Sequence, residues 1–345
     1  MVSRCEFAAF AALAIVAMSV GRVAAYTVDG PRRPNPWEIT AVYELEDCLK
    51  KLSSDATIRI DGVEACFHVG DTEFTRKQGI SAATFEDEQW VVKCFGSDVV
   101  LVGGGTRGTL YAVYHFLEDV CGVRWWGDDD EDVPQAGKLE LKSFDLKGRP
   151  HFRCRQIYRK GKTSFRTAAR CRLNGNGDYA IPPAWGAGCD MDSGDRTDAR
   201  LSSNVVVGVI KSIELPIPGE YAIAERVRAC AERGEMGVMI EHGDSGRSDM
   251  YELKFYIARK TLEDPSLDAD DLLRDFYLRY YGPAAGKIRR VRERLRQPFE
   301  DLSFAERLFD EAELAAKGNP KLERRVKRAR MDLDFIRKFP RCVGK

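Results

Sequence analysis

At 345 residues, with 44% hydrophobic and 10% aromatic side chains, the chain can bury a core in each of two or three domains. Lys and Arg number 54 and so do Asp and Glu, so no charge imbalance calls for nucleic acid or an anionic membrane surface as partner. The 4 histidines include no i, i+4 pair and the 10 cysteines no C-x-x-C, so spacing indicates neither a metal centre nor a cofactor.

Residues 1–25 read as an export signal. Arg4 lies near the start, an apolar run extends from Phe7 to Val20, and Val23-Ala24-Ala25 supplies the small residues a signal peptidase reads, with cleavage after Ala25. Ser19, Gly21 and Arg22 interrupt the run, which is short for a membrane span. The expectation is a secreted or periplasmic protein with no membrane contact after cleavage. Loss of Cys5 with the signal leaves an odd number of cysteines, so at least one thiol is unpaired or pairs between chains.

The mature chain begins with an extended lead holding Pro31, Pro34 and Pro36. Thr40 is placed to cap a helix with Val42, Leu45, Leu49 and Leu52 on its apolar face and Lys50 and Lys51 near its end. Strands follow at 57–60 and 65–70, then a short helix at 81–88. The segment 89–95, a turn at Gly96-Ser97 and the run 98–102 read as a hairpin. Three glycines then lead into a helix with Leu110, Val113, Tyr114 and Leu117 at helical spacing, and a second turn comes at Gly122. Gly103, Gly105 and Gly108 satisfy G-x-G-x-x-G, with acidic residues 128–132 about 20 positions on, as a dinucleotide fingerprint requires. The hairpin argues against it, because the fingerprint opens a parallel βαβ unit; glycines that permit close helix packing are the simpler reading. Arg107, His115 and Arg124 read as surface or helix-face residues, with ligand contact as the alternative.

The run Gly104-Gly105-Thr106-Arg107-Gly108-Thr109-Leu110-Tyr111-Ala112-Val113-Tyr114-His115-Phe116-Leu117-Glu118-Asp119-Val120-Cys121-Gly122-Val123-Arg124-Trp125-Trp126 resembles the end of the small N-terminal domain that precedes the catalytic barrel in α-glucuronidase-type glycoside hydrolases. It is most similar to a group of secreted bacterial relatives with a domain of unknown function (domain of unknown function 4838). The resemblance identifies a domain and implies a small α+β fold ending near Pro150, followed by a (β/α) barrel.

From His151 the text turns rich in Arg, Gly, Asp and Asn, with 174–178 and Pro182-Pro183 as turn signals. The segment 170–175 is similar to the start of the related barrel, and the match fades after Gly188. It resumes near Pro216, with a helix from Tyr221 to Arg233 carrying Ile223, Val227 and Ala231. A buried-strand pattern, 237–243, resembles a late βα unit with Glu241 at its carboxyl end. Helices follow at 250–258 and 272–281, and the run 276–285 is a second signature of the same group. The remainder is helical and heavily charged, which reads as solvated helix faces.

A complete (β/α)8 barrel takes about 200 residues at minimum, and residues 151–266 fall well short of that. The expected fold is therefore α/β: a small α+β domain at 26–150, an incomplete (β/α) barrel remnant at 151–266 and a helical C-terminal region at 267–345. Glycoside hydrolysis needs two carboxyl groups facing one another across the sugar. Glu241 is the candidate acid or base, Asp244 and Asp249 follow on the next loop, and Asp190, Asp192 and Asp195 lie on an acidic loop. Trp125 and Trp126 offer flat faces for a sugar, Arg124 a cation for a uronate carboxylate, and His242 a further contact; burial at a domain junction is the alternative for the tryptophans. Trp185 is equally ambiguous. The resemblance implies a secreted glycoside-hydrolase-like protein acting on a plant or mucin-type polysaccharide, with carbohydrate as partner and no cofactor. The rivals are a catalytically inactive carbohydrate-binding or structural remnant and a dinucleotide-binding oxidoreductase.

Overall fold

The computed structural model describes residues 26–128, 130–159, 164–174, 207–211, 219–242, 250–296 and 301–338. The 1–25 segment, Trp185, the acidic loop of Asp190, Asp192 and Asp195, and the Asp244 and Asp249 loop lie outside the described residues. The protein is mixed α/β and divides into two units, one of residues up to Val123 plus Val133–Gly148, the other of Arg124–Asp132 plus Arg149 onward. The short stretch with the paired tryptophans thus belongs with the later part of the chain.

In the first unit, β1 (Tyr26–Asp29) leads to α1 (Pro36–Leu52). The helix starts ahead of the predicted Thr40. Asn35 Oδ1 accepts the Trp37 and Glu38 N–H groups, the Glu38 carboxylate accepts the Asn35 N–H, and Pro36 fits the first turn without forfeiting a donor. Thr40 instead sits inside the helix and donates to the Pro36 carbonyl. The buried stripe is Trp37, Ala41, Leu45, Cys48, Leu49 and Leu52, with Val42 only half-buried.

The sheet of this unit runs β2 (Ser53–Ile60), β3 (Val63–Val69), then, after α2 (Glu73–Lys77), the hairpin β4 (Trp90–Phe95) and β5 (Asp98–Gly103). Of the predicted helix over 81–88 only one 3-10 turn, Ala82–Thr84, is present, and Glu88 has a positive φ of 60° that ends any helical path. After β5 comes α3 (Gly108–His115), continued by a π turn over Phe116–Val120. The chain leaves for the second unit as β6 (Arg124–Gly127) and β7 (Asp130–Asp132), then returns as β8 (Ala136–Leu141) and β9 (Asp145–Gly148). The strand order is β8-β2-β3-β5-β4-β9, with β1 parallel to β3.

The triple glycine is a packing device. A Cβ on Gly103 would stand 2.1 Å from the carbonyl carbon of Gly108, and one on Gly105, whose φ is +64°, would stand 1.8 Å from Asp87 Oδ1. Backbone groups that would cradle a pyrophosphate are spent internally: the Gly104 N–H donates to Gln89 O at 2.8 Å and the Gly108 N–H to Gly104 O at 3.1 Å. β5 pairs in parallel with β3, but the strand that follows α3, Arg124–Gly127, pairs in another sheet and not beside β5, so the fingerprint's βαβ unit is absent here and the dinucleotide reading falls. Gly103→Ala is expected to cost about 3 kcal/mol, the upper range for overpacking, because backbone meets backbone. A fall in the urea midpoint measures it.

The second unit opens with β10 (Cys154–Arg159) and α4 (Phe165–Arg170), and continues with β11 (Val207–Lys211), α5 (Glu220–Glu232) and β12 (Gly237–His242). All three strands are parallel, in the order β10-β12-β11. Helices α6 (Tyr251–Glu263), α7 (Ala269–Tyr281), α8 (Ala285–Leu295), α9 (Ser303–Ala316) and α10 (Pro320–Lys338) complete it. Among the described residues no helix is long and apolar enough to cross a membrane.

The Arg-rich segment that the resemblance placed at the barrel's start is structural. Arg172 is fully buried and its Nε and Nη2 both donate to the Glu263 carboxylate at 3.0–3.2 Å, tying the loop after α4 to the end of α6. Asn174 Oδ1 accepts the Arg155 N–H at 2.8 Å, and the Arg155 guanidinium Nε donates to the Arg172 carbonyl at 2.7 Å. The charged C-terminal helices also pair across their contact, Arg330 with Asp310 and Arg337 with Glu306.

Candidate functional site

The pleat of β12 sorts its side chains. Val238 and Ile240 are buried in the core of the second unit, so Met239 and Glu241 point to the opposite face. Glu241 is half-buried, one residue from the strand's carboxyl end. In register it is flanked by Tyr158 of β10 and Lys211 of β11, so its position is the middle of a row across the sheet. Across the residues of these three strands Glu241 carries the only carboxylate. His242 ends β12; Asp244 lies outside the described residues.

The tryptophans are elsewhere. Trp125 and Trp126 are 1% and 0% exposed, so neither ring face is open to a sugar in this structure. Trp126 stands in an aromatic cage, its centroid 5.2–5.4 Å from those of Tyr256, Phe276 and Tyr280, and its Nε1–H donates to Asp132 at 2.6 Å. Trp125 lies under the Arg170 guanidinium at 5.3 Å. Arg124 is buried and its Nε and Nη2 donate to Asp275 at 3.3 and 3.4 Å. Burial alone would raise the Asp275 carboxyl, but Arg124, with Arg279 and Tyr256, holds it below the usual range. This cation is occupied by a protein carboxylate.

The acidic run finds protein partners as well. Asp130 and Asp132 take the Arg325 guanidinium, Lys321 adds to Asp132 at 2.6 Å, Glu131 accepts from Arg170 at 2.9 Å, and Asp128 accepts the Ser164 N–H at 2.9 Å. Arg107 and His115 are not surface residues. Arg107 is buried against Glu88 at 3.3 Å, and His115 stacks on Trp90 at 3.8 Å while bonding Asp119 at 2.7 Å.

A second constellation lies in the first unit. Cys66 and His68 of β3 and Asp98 of β5 bring one ligand atom each to within 4.8 Å of one another. Cys66 Sγ is 3.4 Å from His68 Nε2, and Asp98 Oδ1 is 2.8 Å from the same nitrogen. Spacing rules miss it because its members come from different strands; the signal available in sequence was only the C-x-H alternation on one strand.

Residues 207–292, about a quarter of the chain, match a family described as Domain of unknown function (DUF4838). No curated protein matches. The solved structures similar to the chain include glycoside hydrolases. One is a family GH115 4-O-methyl-alpha-glucuronidase with specificity for decorated arabinogalactans, at TM-score 0.34 and 17% identity over 43% of this chain and 24% of that one. CpGH84D is similar at TM-score 0.43 and 11% identity, over 92% of this chain and 86% of that one. A Glycoside Hydrolase Family 20 beta-N-acetylglucosaminidase is similar at TM-score 0.24 and 12% identity, over 68% and 40%. The chain thus spans about a quarter of the length of the GH115 enzyme.

Proposed function

We propose that the chain is a glycoside-hydrolase-like protein that binds carbohydrate at the carboxyl ends of β10, β12 and β11, with Glu241 as its acid or base. The observation that carries this reading is the strand order. In a closed barrel each strand neighbours the next and the first pairs with the last. A chain that keeps the first strand and the final two while lacking the middle would align them as first, last, penultimate. The parallel order β10-β12-β11 is that order, and Glu241 is the penultimate residue of its central strand, near the carboxyl end where function gathers in such folds. His242 beside it and Asp244 on the following loop are its proposed neighbours, and the proposed compartment is outside the cytoplasm.

Reducing-sugar release from a panel of plant and mucin polysaccharides tests this. The expected result is turnover that falls at least about 100-fold in Glu241→Gln, the usual worth of a general acid or base. Turnover unchanged by that substitution removes Glu241 from the chemistry. A second reading, carbohydrate binding without turnover, is favoured by the single carboxylate on these three strands, since hydrolysis needs two. It predicts retardation in polysaccharide-containing gels for both wild type and Glu241→Gln with no sugar released. Neither retardation nor release refutes both.

A further inference from the structure

The cluster in the first unit is built by sheet register. Cys66 and His68 are two residues apart on β3 and share a face, away from Phe67, which packs on Phe116 on the other side. Parallel pairing sets Asp98 of β5 beside Cys66, and Thr27 and Asp29 of β1 beside Cys66 and His68. Four groups with lone pairs to offer therefore converge: a thiol, an imidazole and two carboxylates.

We propose that Cys66, His68 and Asp98 form a binding site for a divalent transition-metal ion, with Zn2+ the best match to the donor set. A borderline-soft ion accepts sulfur, imidazole nitrogen and carboxylate oxygen together, whereas Mg2+ and Ca2+ want oxygen alone. Ligand atoms ~2.0–2.3 Å from one tetrahedral centre stand ~3.3–3.6 Å apart. The 3.4 Å between Cys66 Sγ and His68 Nε2 already matches, and Asp98, half-exposed at 2.8 Å, need open only slightly.

Two features go beyond a chance meeting of polar groups. His68 presents Nε2 to the cluster while its Nδ1 lies 3.4 Å from Asp29 Oδ2, the carboxylate–histidine arrangement that orients metal-bound imidazoles. Its ring is also fixed by stacking on Phe74, with centroids 4.1 Å apart and planes 8° from parallel. The ion takes Cys66 as the thiolate, so a proton held on that sulfur leaves to solvent as the ion enters.

The test uses the full chain stripped with chelator and titrated with Co2+, then Zn2+. The expected result is one ion per chain and a thiolate-to-Co2+ charge-transfer band that Zn2+ abolishes. Cys66→Ser is expected to lose the band and Asp98→Asn to weaken binding. Asp29→Asn should keep the band while lowering affinity about 10–100-fold, as for an orienting partner. Cys94→Ser, at a position whose side chain lies on the other face of the sheet, is expected to leave the titration unchanged. Circular dichroism verifies folding, and Asp98→Asn, at a half-exposed position, provides the readout should Cys66→Ser unfold. Absence of saturable binding, a band that survives Cys66→Ser, or a band lost in Cys94→Ser overturns the proposal.

Discussion

Trp126→Ala is expected to destabilise the second unit by about 3–5 kcal/mol, the range for emptying a buried large aromatic site. That is a large share of the 5–15 kcal/mol that typically separates a folded from an unfolded protein. The indole is fully buried, and three rings from α6 and α7 pack on it. Truncation leaves those rings without a shared partner and removes the donor to Asp132. Asp132 keeps Lys321 and Arg325, so the polar part of the loss is the smaller part. Trp126→Phe should therefore recover most of the stability in urea unfolding. An alanine variant with an unchanged urea midpoint would show that the ring is not a core element.

Glu220→Gln carries the second large effect, and its pH dependence has a definite sign. The carboxylate is buried at the start of α5 and accepts from Arg292 at 3.1 Å and Arg296 at 2.7 Å. Burial alone would raise its pKa, but the two guanidinium groups outweigh that and hold it below the ordinary value. A depressed folded pKa gives stability that is fully present above the unfolded carboxyl value near ~4.3 and is lost as pH falls through the lower folded value. Removing the charge leaves Arg292 buried beside a neutral amide, a loss of about 3–5 kcal/mol on the scale of broken buried pairs. Urea midpoints of wild type and variant should differ by a constant amount above about pH 5 and converge in acid, where wild-type Glu220 also becomes neutral. A gap that persists unchanged into acid would show that charge is not what Glu220 contributes.

What the sequence made legible was local. The β4–β5 hairpin has a two-residue turn between two β-branched-rich strands, and α5 and α7 each announce a buried stripe at helical spacing. The start of α1 was masked by three prolines that read as an extended lead, although Asn35, Pro36 and Glu38 together form a helix-start signal. What stayed hidden depended on partners far along the chain. Trp125 and Trp126, set in an acidic surrounding, look as much like a sugar platform as a core until α6 and α7 close over Trp126. The partners of the acidic run 128–132, Arg170, Lys321 and Arg325, come from segments that only the fold brings to it. Glu241 was legible as a strand-end carboxylate, but not that its strand is central, because strand order is fixed by pairing between segments about 80 residues apart.

The excursion of Arg124–Asp132 into the second unit sets a timetable for synthesis. These residues leave the ribosome long before their counterions: about 190 residues separate Asp132 from Arg325, or roughly 10–40 s at ordinary elongation rates. During that interval Asp130 and Asp132 wait without Lys321 and Arg325, and for most of it Trp126 waits without Tyr256, Phe276 and Tyr280. No single cut separates the two units either, so a fragment ending near residue 150 would carry this stretch without its partners.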